Sequence, residues 1–515
     1  MQNQNSRRVI YFFALIKFLI PFLFIHSPFE LHRDEYLYLA DARHLDWGYI
    51  EMPPMLALLG FISNLFSASV YAVYFWSSLF GALTLIIVGK IVIELKGSVY
   101  AVFIACLSFL TSAYLRINIL FMPNFLDGFF WTLSCFHIIK FINSHQNKYL
   151  YWLGVCFGLG FLSKYTIVFF IIGFLVGVII LHRKLLLNKH FYFSMLLGIL
   201  IASPNIYWQF YHHFPVMHHM QLLTSQQLQF SQRADFIKFQ FFLFSSSVFI
   251  WLMGLWFLFT NQQGKKYAII GVLYFIIIAL LLLLKGKHYY AASIYPALVS
   301  IGSVYIGNLA VKYRIKIVQW LIPACMILVC VELVPVLLPV ASPEQLEQYY
   351  RKINAGKMGL LDWEESKNNL LPQDFADMVG WKEVAEKTAV IYHQLPDCVK
   401  KQTMVYGDNY GEAGALTFYR KKLQLPEIYS DDASFVFWLP SKFDFKYFLF
   451  ATRNMPEKDD LFFQHFKKVE IKDSVVNKYF RENRTKIVLY SFPDDTARMI
   501  AVHNIEKAKN DFNYH

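Results

Sequence analysis

Apolar residues run almost unbroken through residues 1–339, broken at intervals by short clusters of charge, proline and glycine. Eleven stretches can each cross a hydrocarbon layer of about 30 Å with some tilt or shortening. They fall at roughly 9–26, 70–93, 98–115, 124–142, 149–164, 166–182, 190–208, 237–260, 266–284, 290–309 and 317–338. Helices are expected throughout, because a lone strand in lipid leaves its backbone groups unpaired. Lys164 interrupts the pair 149–182, which reads as two spans or as one re-entrant element. After Pro335, Pro339 and Pro343 the pattern changes. Charge density rises, and β-rich runs appear at Met404–Tyr406, Phe435–Leu439, Phe448–Phe450 and Ile487–Tyr490, with helical patterns at about 378–394 and 459–467. The pattern predicts a polytopic α-helical membrane protein of about eleven transmembrane helices over 1–339, followed by a soluble α/β domain over 340–515.

Charge orients this arrangement. Residues 1–339 hold 23 Lys and Arg against 10 Asp and Glu, and residues 340–515 hold 25 against 26. The basic excess sits in short loops between apolar runs, which points to topology rather than nucleic acid. A cytoplasmic N-terminus puts thirteen of the membrane half's Lys and Arg inside and seven outside. The loop 27–69 and residues 340–515 then face outward. The first run follows Arg7-Arg8 without a small-residue cleavage site and reads as a retained helix. Five of six cysteines lie in apolar stretches, so the polar half, with Cys398 alone, has no internal disulfide.

Six of the ten acids in the membrane half fall within 22 residues: Glu30, Asp34, Glu35, Asp41, Asp46 and Glu51. Ionisable groups beside a bilayer are costly unless solvated or paired, so such a cluster marks a functional loop. Asp34 and Glu35 stand at the exit of the first span, where a carboxylate can take a proton from an incoming hydroxyl or amine. Their bland reading is a helix cap. Glu51 is stiffened by Pro53-Pro54 and could contact a sugar hydroxyl or a divalent cation; the bland reading is an exposed turn. Asn124 and Asp127 open a span on the outer side, as caps or as substrate contacts. Lys285, Lys287 and His288 beside Tyr289 and Tyr290 can hold phosphate oxygens through charge-assisted hydrogen bonds. Arg116 and Lys164 are outer cations suited to a lipid phosphate or to plain anchoring. His212, His213, His218 and His219 share one loop without a completing metal ligand.

Together these residues resemble the GT-C superfamily of integral-membrane glycosyltransferases, within it the family 39-like bacterial members related to protein O-mannosyltransferases and lipid A aminoarabinose transferases. The carriers are Asp34-Glu35-Tyr36-Leu37-Tyr38, Leu45-Asp46-Trp47-Gly48-Tyr49 through Pro53-Pro54, Leu120–Asn124 with Asp127, Gly158–Tyr165 and Lys285–Tyr290, with Trp381-Lys382-Glu383 and Gly407–Ala415 in the outer domain. The resemblance implies a sugar donor on polyprenyl phosphate and an active site at the outer face of a bacterial inner membrane. It implies Asp34 as the catalytic carboxylate, with outer cations on the departing phosphate. Where aminoarabinose-transferase relatives have Glu-Lys-Pro-Pro, this chain has Glu51-Met52-Pro53-Pro54, which leaves Lys164 or Lys287 for the lipid phosphate.

The expected function is transfer of a sugar from a polyprenyl-phosphate donor to a lipid, glycan or protein acceptor on the periplasmic side. Asp34 and Glu35 are the expected catalytic pair. Tyr36, Glu51, Asn124 and Asp127 position sugar or acceptor. Arg116, Lys164, Lys285, Lys287, His288 and Tyr289 bind the lipid phosphate. No organic cofactor is expected, and a divalent metal at Glu51 stays open. The rivals are a transporter or flippase for a lipid-linked anion, which predicts charges deep in helices and repeat symmetry, and a non-catalytic assembly subunit.

Overall fold

The structure, a computed structural model, describes residues 2–66, 69–226, 233–312, 316–364, 366–440, 443–457 and 460–514. Its first two-thirds is a helical bundle with an apolar core, as an uninterrupted hydrophobic sequence requires. Among the described residues five helices are long and apolar enough to cross a membrane: Val70–Glu94, Asn124–Ser144, Lys189–Tyr211, His288–Ala310 and Gln319–Leu337. A sixth span arises if Arg233–Leu243 and Ser245–Thr260, bent by 66° at their junction, are taken together. Each of the eleven expected stretches contains a helix, but the helices at 98–115, 149–164, 166–182 and 266–284 have only 12 to 16 residues. Breaks such as Thr111–Ala113 and Leu162–Thr166 shorten them where polar groups turn the chain.

Close helix contacts use small residues, as expected where lipid offers no hydrophobic drive between helices. A Cβ at Gly302 would collide with the Ile250 carbonyl of the neighbouring helix. Lys17, fully buried on the first helix, donates to the Tyr114 carbonyl at 2.6 Å and lies 5.6 Å from the Phe109 ring. It thereby satisfies a carbonyl exposed by the break after Val99–Leu110. The Lys148–Phe161 and Ile167–Leu181 helices form a hairpin. Tyr149 and Leu181, at their far ends, line one cavity, and Lys164 is at the tip. Two short helices joined at Lys164 therefore occupy 149–182.

The C-terminal region folds around a mixed five-stranded sheet. Its strands are β1 Thr403–Gly407, β2 Ile428–Tyr429, β3 Tyr447–Thr452, β4 Phe466–Val475 and β5 Thr485–Pro493, in the order β2-β1-β3-β5-β4. β1 runs parallel to β2 and β3, while β5 is antiparallel to β3 and β4. The run Phe435–Leu439, expected as a strand, is instead a 3-10 turn over Ala433–Trp438. Its side chains fill the joint with the membrane half: Phe437 stacks on Tyr514 at 4.4 Å and meets Trp208 edge-on. Packing thus overrides strand propensity. The expected helix at 459–467 shrinks to Leu461–Gln464, because Phe466 already begins β4; residues 458–459 lie outside the described ones.

The Arg33–Asp41 helix lies between the bundle and this domain, packed on the Tyr410–Leu423 helix. Gly414 makes that approach possible, since a Cβ there would sit 2.9 Å from the Tyr36 carbonyl carbon.

Candidate active site

Three of the six clustered acids hold backbone amides. Glu30 accepts from Gly380 N–H at 3.3 Å and Lys382 N–H at 2.7 Å, at the N-terminus of the Trp381–Gln394 helix. Glu35 completes a capping box with His32, accepting its N–H at 2.6 Å, and its other oxygen takes Phe121 N–H at 2.6 Å. Asp46 accepts the Trp47 N–H at 2.7 Å. The other three, Asp34, Asp41 and Glu51, carry the polar chemistry. Asp34, Tyr38 and Asp41 are spaced i, i+4 and i+7 along one helix and so share a face.

Asp34 accepts a hydrogen bond from the Tyr410 hydroxyl at 3.0 Å. Burial alone would push its carboxyl up. The adjoining His32 and Arg33 charges, the Tyr410 hydroxyl and Lys287 outweigh burial and hold it below its ordinary value. Asp34 is therefore ionised at neutral pH. Arg33 lies 4.3 Å from the Tyr410 ring. Burial opposes its charge, but Tyr410, Asp377, Glu482 and Glu412 raise it above its ordinary value.

Asp41 and Glu51 form a buried carboxyl pair. With both ionised, neither Asp41 oxygen nor Glu51 Oε1 has a donor. Burial, then the neighbouring Glu51 charge, lifts Asp41 well above the usual range, so Asp41 keeps its proton and donates it to Glu51. Glu51 Oε2 also accepts from Ser434 Oγ at 2.8 Å, and Ser434 Oγ accepts the Ile50 N–H at 3.0 Å.

The cations arrive from two loops between helices. Lys287 pairs with Glu364 at 3.0 Å and is near enough to Asp34 that each acts on the other's charge. Burial opposes the Lys287 charge; Glu364, Tyr290 and Asp34 overcome it and raise the ammonium above its ordinary value. Lys164 donates to Asn124 Oδ1 and lies 4.8 Å from the Tyr290 ring and 5.3 Å from that of Tyr289. Asp127 accepts from Ser293 Oγ at 2.7 Å. His219 also faces Lys287 and Asp34; burial, then Lys287 and His218, pushes its imidazole down to about 4, so it is neutral at pH 7.

One cluster thus gathers Asp34, Glu51, Asn124, Asp127, Lys164, Lys287 and Tyr289. Four expected residues are engaged elsewhere. Glu35 has both oxygens on backbone amides. Tyr36 packs against Trp381, Phe418 and Tyr419. Arg116 is clamped by Asp374, with its guanidinium 4.7 Å from the Phe375 ring. His288 packs on Phe239 at a tilt of 47°, with ring centroids 3.7 Å apart. Lys285 is exposed, with a positive φ of 51°. Tyr38, Asp41, Tyr410, Ser434 and the site position of His219 were missed. The i, i+4, i+7 spacing could have found the first two; Tyr410 stands inside the Gly407–Ala415 motif that carries the resemblance but had no role assigned, and nothing local marks Ser434. Among the described residues no three His, Cys, Asp or Glu side chains form a metal-ligand set. The Asp41–Glu51 pair offers oxygens only.

Residues 51–208 match the family model for dolichyl-phosphate-mannose-protein mannosyltransferase. No curated protein matches the sequence. Among solved structures, ArnT from Cupriavidus metallidurans bound to undecaprenyl phosphate is similar, with a TM-score of 0.60 and 13% identity over 93% of this chain and 97% of that one. The apo state of the same protein gives a TM-score of 0.56 with the same identity and coverage. The chain is a multi-pass membrane protein with the ArnT fold, and the family match over 51–208 bears out the GT-C resemblance read from its motifs.

Proposed function

We propose that this chain is a glycosyltransferase that moves one sugar from a polyprenyl-phosphate donor to an acceptor hydroxyl or amine on the outer side of the membrane. The observation that carries the reading is the meeting of an ionised Asp34 with Lys287, from a loop distant in sequence, in one cluster. Asp34 accepts the acceptor's proton as its oxygen or nitrogen bonds to the sugar anomeric carbon. The bond from that carbon to the phosphate oxygen breaks, and its electron pair stays on the phosphate. Lys287 and Lys164 offset the charge that grows there, in a site that needs no reorganisation to do so. Glu51, fixed by Asp41 and Ser434, orients a sugar hydroxyl; Asn124, Asp127 and Tyr289 shape the space between acid and cations. Glu35 and Tyr36 hold the Arg33–Asp41 helix in place, and Arg116 ties the bundle to the outer domain.

The shorter apolar helices cross the membrane as tilted or locally thinned spans, giving eleven crossings with the N-terminus inside and residues 340–515 outside. The fold shared with ArnT, whose structure holds undecaprenyl phosphate, supports a polyprenyl phosphate carrier. Reconstitution into vesicles with labelled polyprenyl-phosphate sugars tests the reading. Sugar appearing on added acceptor lipid, glycan or peptide is the expected result. Movement of intact donor across the bilayer, with no product on any acceptor, would replace it with the transporter reading.

A further inference from the structure

A cavity of about 660 Å³ lies at the end of the bundle away from Asp34. The Asn124–Ser144 helix sets the separation. Its first residue bonds Lys164 in the active-site cluster, while His145, just past its last, lines this cavity. Twenty-one helical residues span about 30 Å, the thickness of the hydrocarbon core. The walls are apolar, with Phe141 and Leu153 among them. The rim carries His145, His182, Arg183 and Lys184, and no acid lines it. No described carboxylate pairs with Arg183 or Lys184; the nearby Glu94 is already bonded to Lys140 at 2.6 Å. His137 also lines the cavity. It is 9% exposed, lies parallel to the Trp152 ring, and its Nδ1 has no partner among the described residues.

We propose that this cavity binds an anionic glycerophospholipid of the leaflet opposite the active site, with one acyl chain in the slot and the phosphate at the Arg183–Lys184 rim. Cations that merely snorkel to the interface need no slot beside them. Here an apolar recess within the hydrocarbon depth opens directly onto unpaired positive charge, which is the shape and polarity of such a lipid. Its volume lies within the ~300–1,000 Å³ of ordinary ligand cavities. Basic pockets of this kind between transmembrane helices hold anionic head groups.

Native mass spectrometry of the full chain in detergent tests this, using equimolar phosphatidylglycerol and phosphatidylethanolamine with identical chains. The parent protein retains phosphatidylglycerol in preference. Arg183→Gln with Lys184→Gln lowers that preference about tenfold, and Arg183→Lys with Lys184→Arg keeps it. All four substitutions are at exposed positions, so the fold is retained. Equal retention of the two lipids by the parent, or a preference that the double glutamine variant leaves intact, would overturn the proposal. The readout is lipid retention, so it stands or falls separately from sugar transfer.

Discussion

Tyr410, 376 residues away in sequence, helps His32, Arg33 and Lys287 hold Asp34 ionised. The groups facing Asp34 are His32 and Arg33 on its own helix, Tyr38 one turn on, Tyr410 and Asp377 from the outer domain, Lys287 and Tyr289 from the 285–290 segment, and His219. Removing one donor to the charged carboxylate raises its pKa, and the proposed chemistry needs it ionised. Tyr410→Phe is therefore expected to move the acidic limb of the pH–rate profile upward, by about one pH unit if the bond is worth ~1.5 kcal/mol. A profile unchanged in position would show that Tyr410 does not set the Asp34 charge. The Asp41–Glu51 pair has the opposite sign. Asp41 is raised in the folded state, so its contribution to stability is full below the ordinary carboxylate value, near pH 4, and is lost as pH climbs through the raised one. Asp41→Asn keeps a donor to Glu51 without a titrating proton. Its melting temperature is expected to fall less than the parent's as pH rises from about 5 to 9 in a thermal-shift series.

At the scale of elements, the Arg33–Asp41 helix is a hinge piece with two loyalties. One face presents Asp34, Tyr38 and Asp41; the rest is buried against the Tyr410–Leu423 helix and the bundle. Glu30, just before it, caps the Trp381–Gln394 helix with two amide bonds. Glu30→Ala should cost about 1 kcal/mol, the usual worth of such a cap, and should speed proteolysis of the outer domain. Unaltered cleavage would remove that role. Several elements were legible in sequence for clear reasons. Apolar length marked the helical stretches, and short, continuously apolar runs marked β1, β3 and β5, whose residues are mostly buried. β4 was not legible, because as an edge strand it carries Lys467, Lys468, Glu470, Lys472 and Asp473 in place of an apolar pattern. The 433–438 turn was misread for the converse reason, its aromatic residues being strand formers recruited to an interdomain joint.

The whole molecule explains why the site was only half legible. Acids and cations rare enough to stand out in hydrocarbon could be found one by one, and Asp34, Glu51, Lys164 and Lys287 do come together. Their partners Tyr410 and Ser434 lie in the C-terminal domain, and only tertiary folding brings them within 3.0 Å of Asp34 and 2.8 Å of Glu51. The C-terminal domain thus contributes to the candidate cluster. Arg116, by contrast, was conspicuous in sequence as a single cation at the end of an apolar run, yet it is buried against Asp374 and Phe375. In the proposed reaction the two lysines and the acid have separable tasks. Lys287→Met should weaken binding of undecaprenyl phosphate about tenfold, since it removes a charge-assisted contact of ~1.5 kcal/mol, as read by displacement of a fluorescent lipid analogue; unchanged affinity would take Lys287 out of the phosphate site. The most direct measurement is on Asp34→Asn, reading undecaprenyl phosphate affinity and single-turnover sugar transfer on the same preparation. The expected result is affinity within about twofold of the parent and transfer slowed by ~10²-fold or more, the usual worth of a positioned proton acceptor. Transfer at the parental rate would contradict the assignment of Asp34 as the group that takes the acceptor's proton.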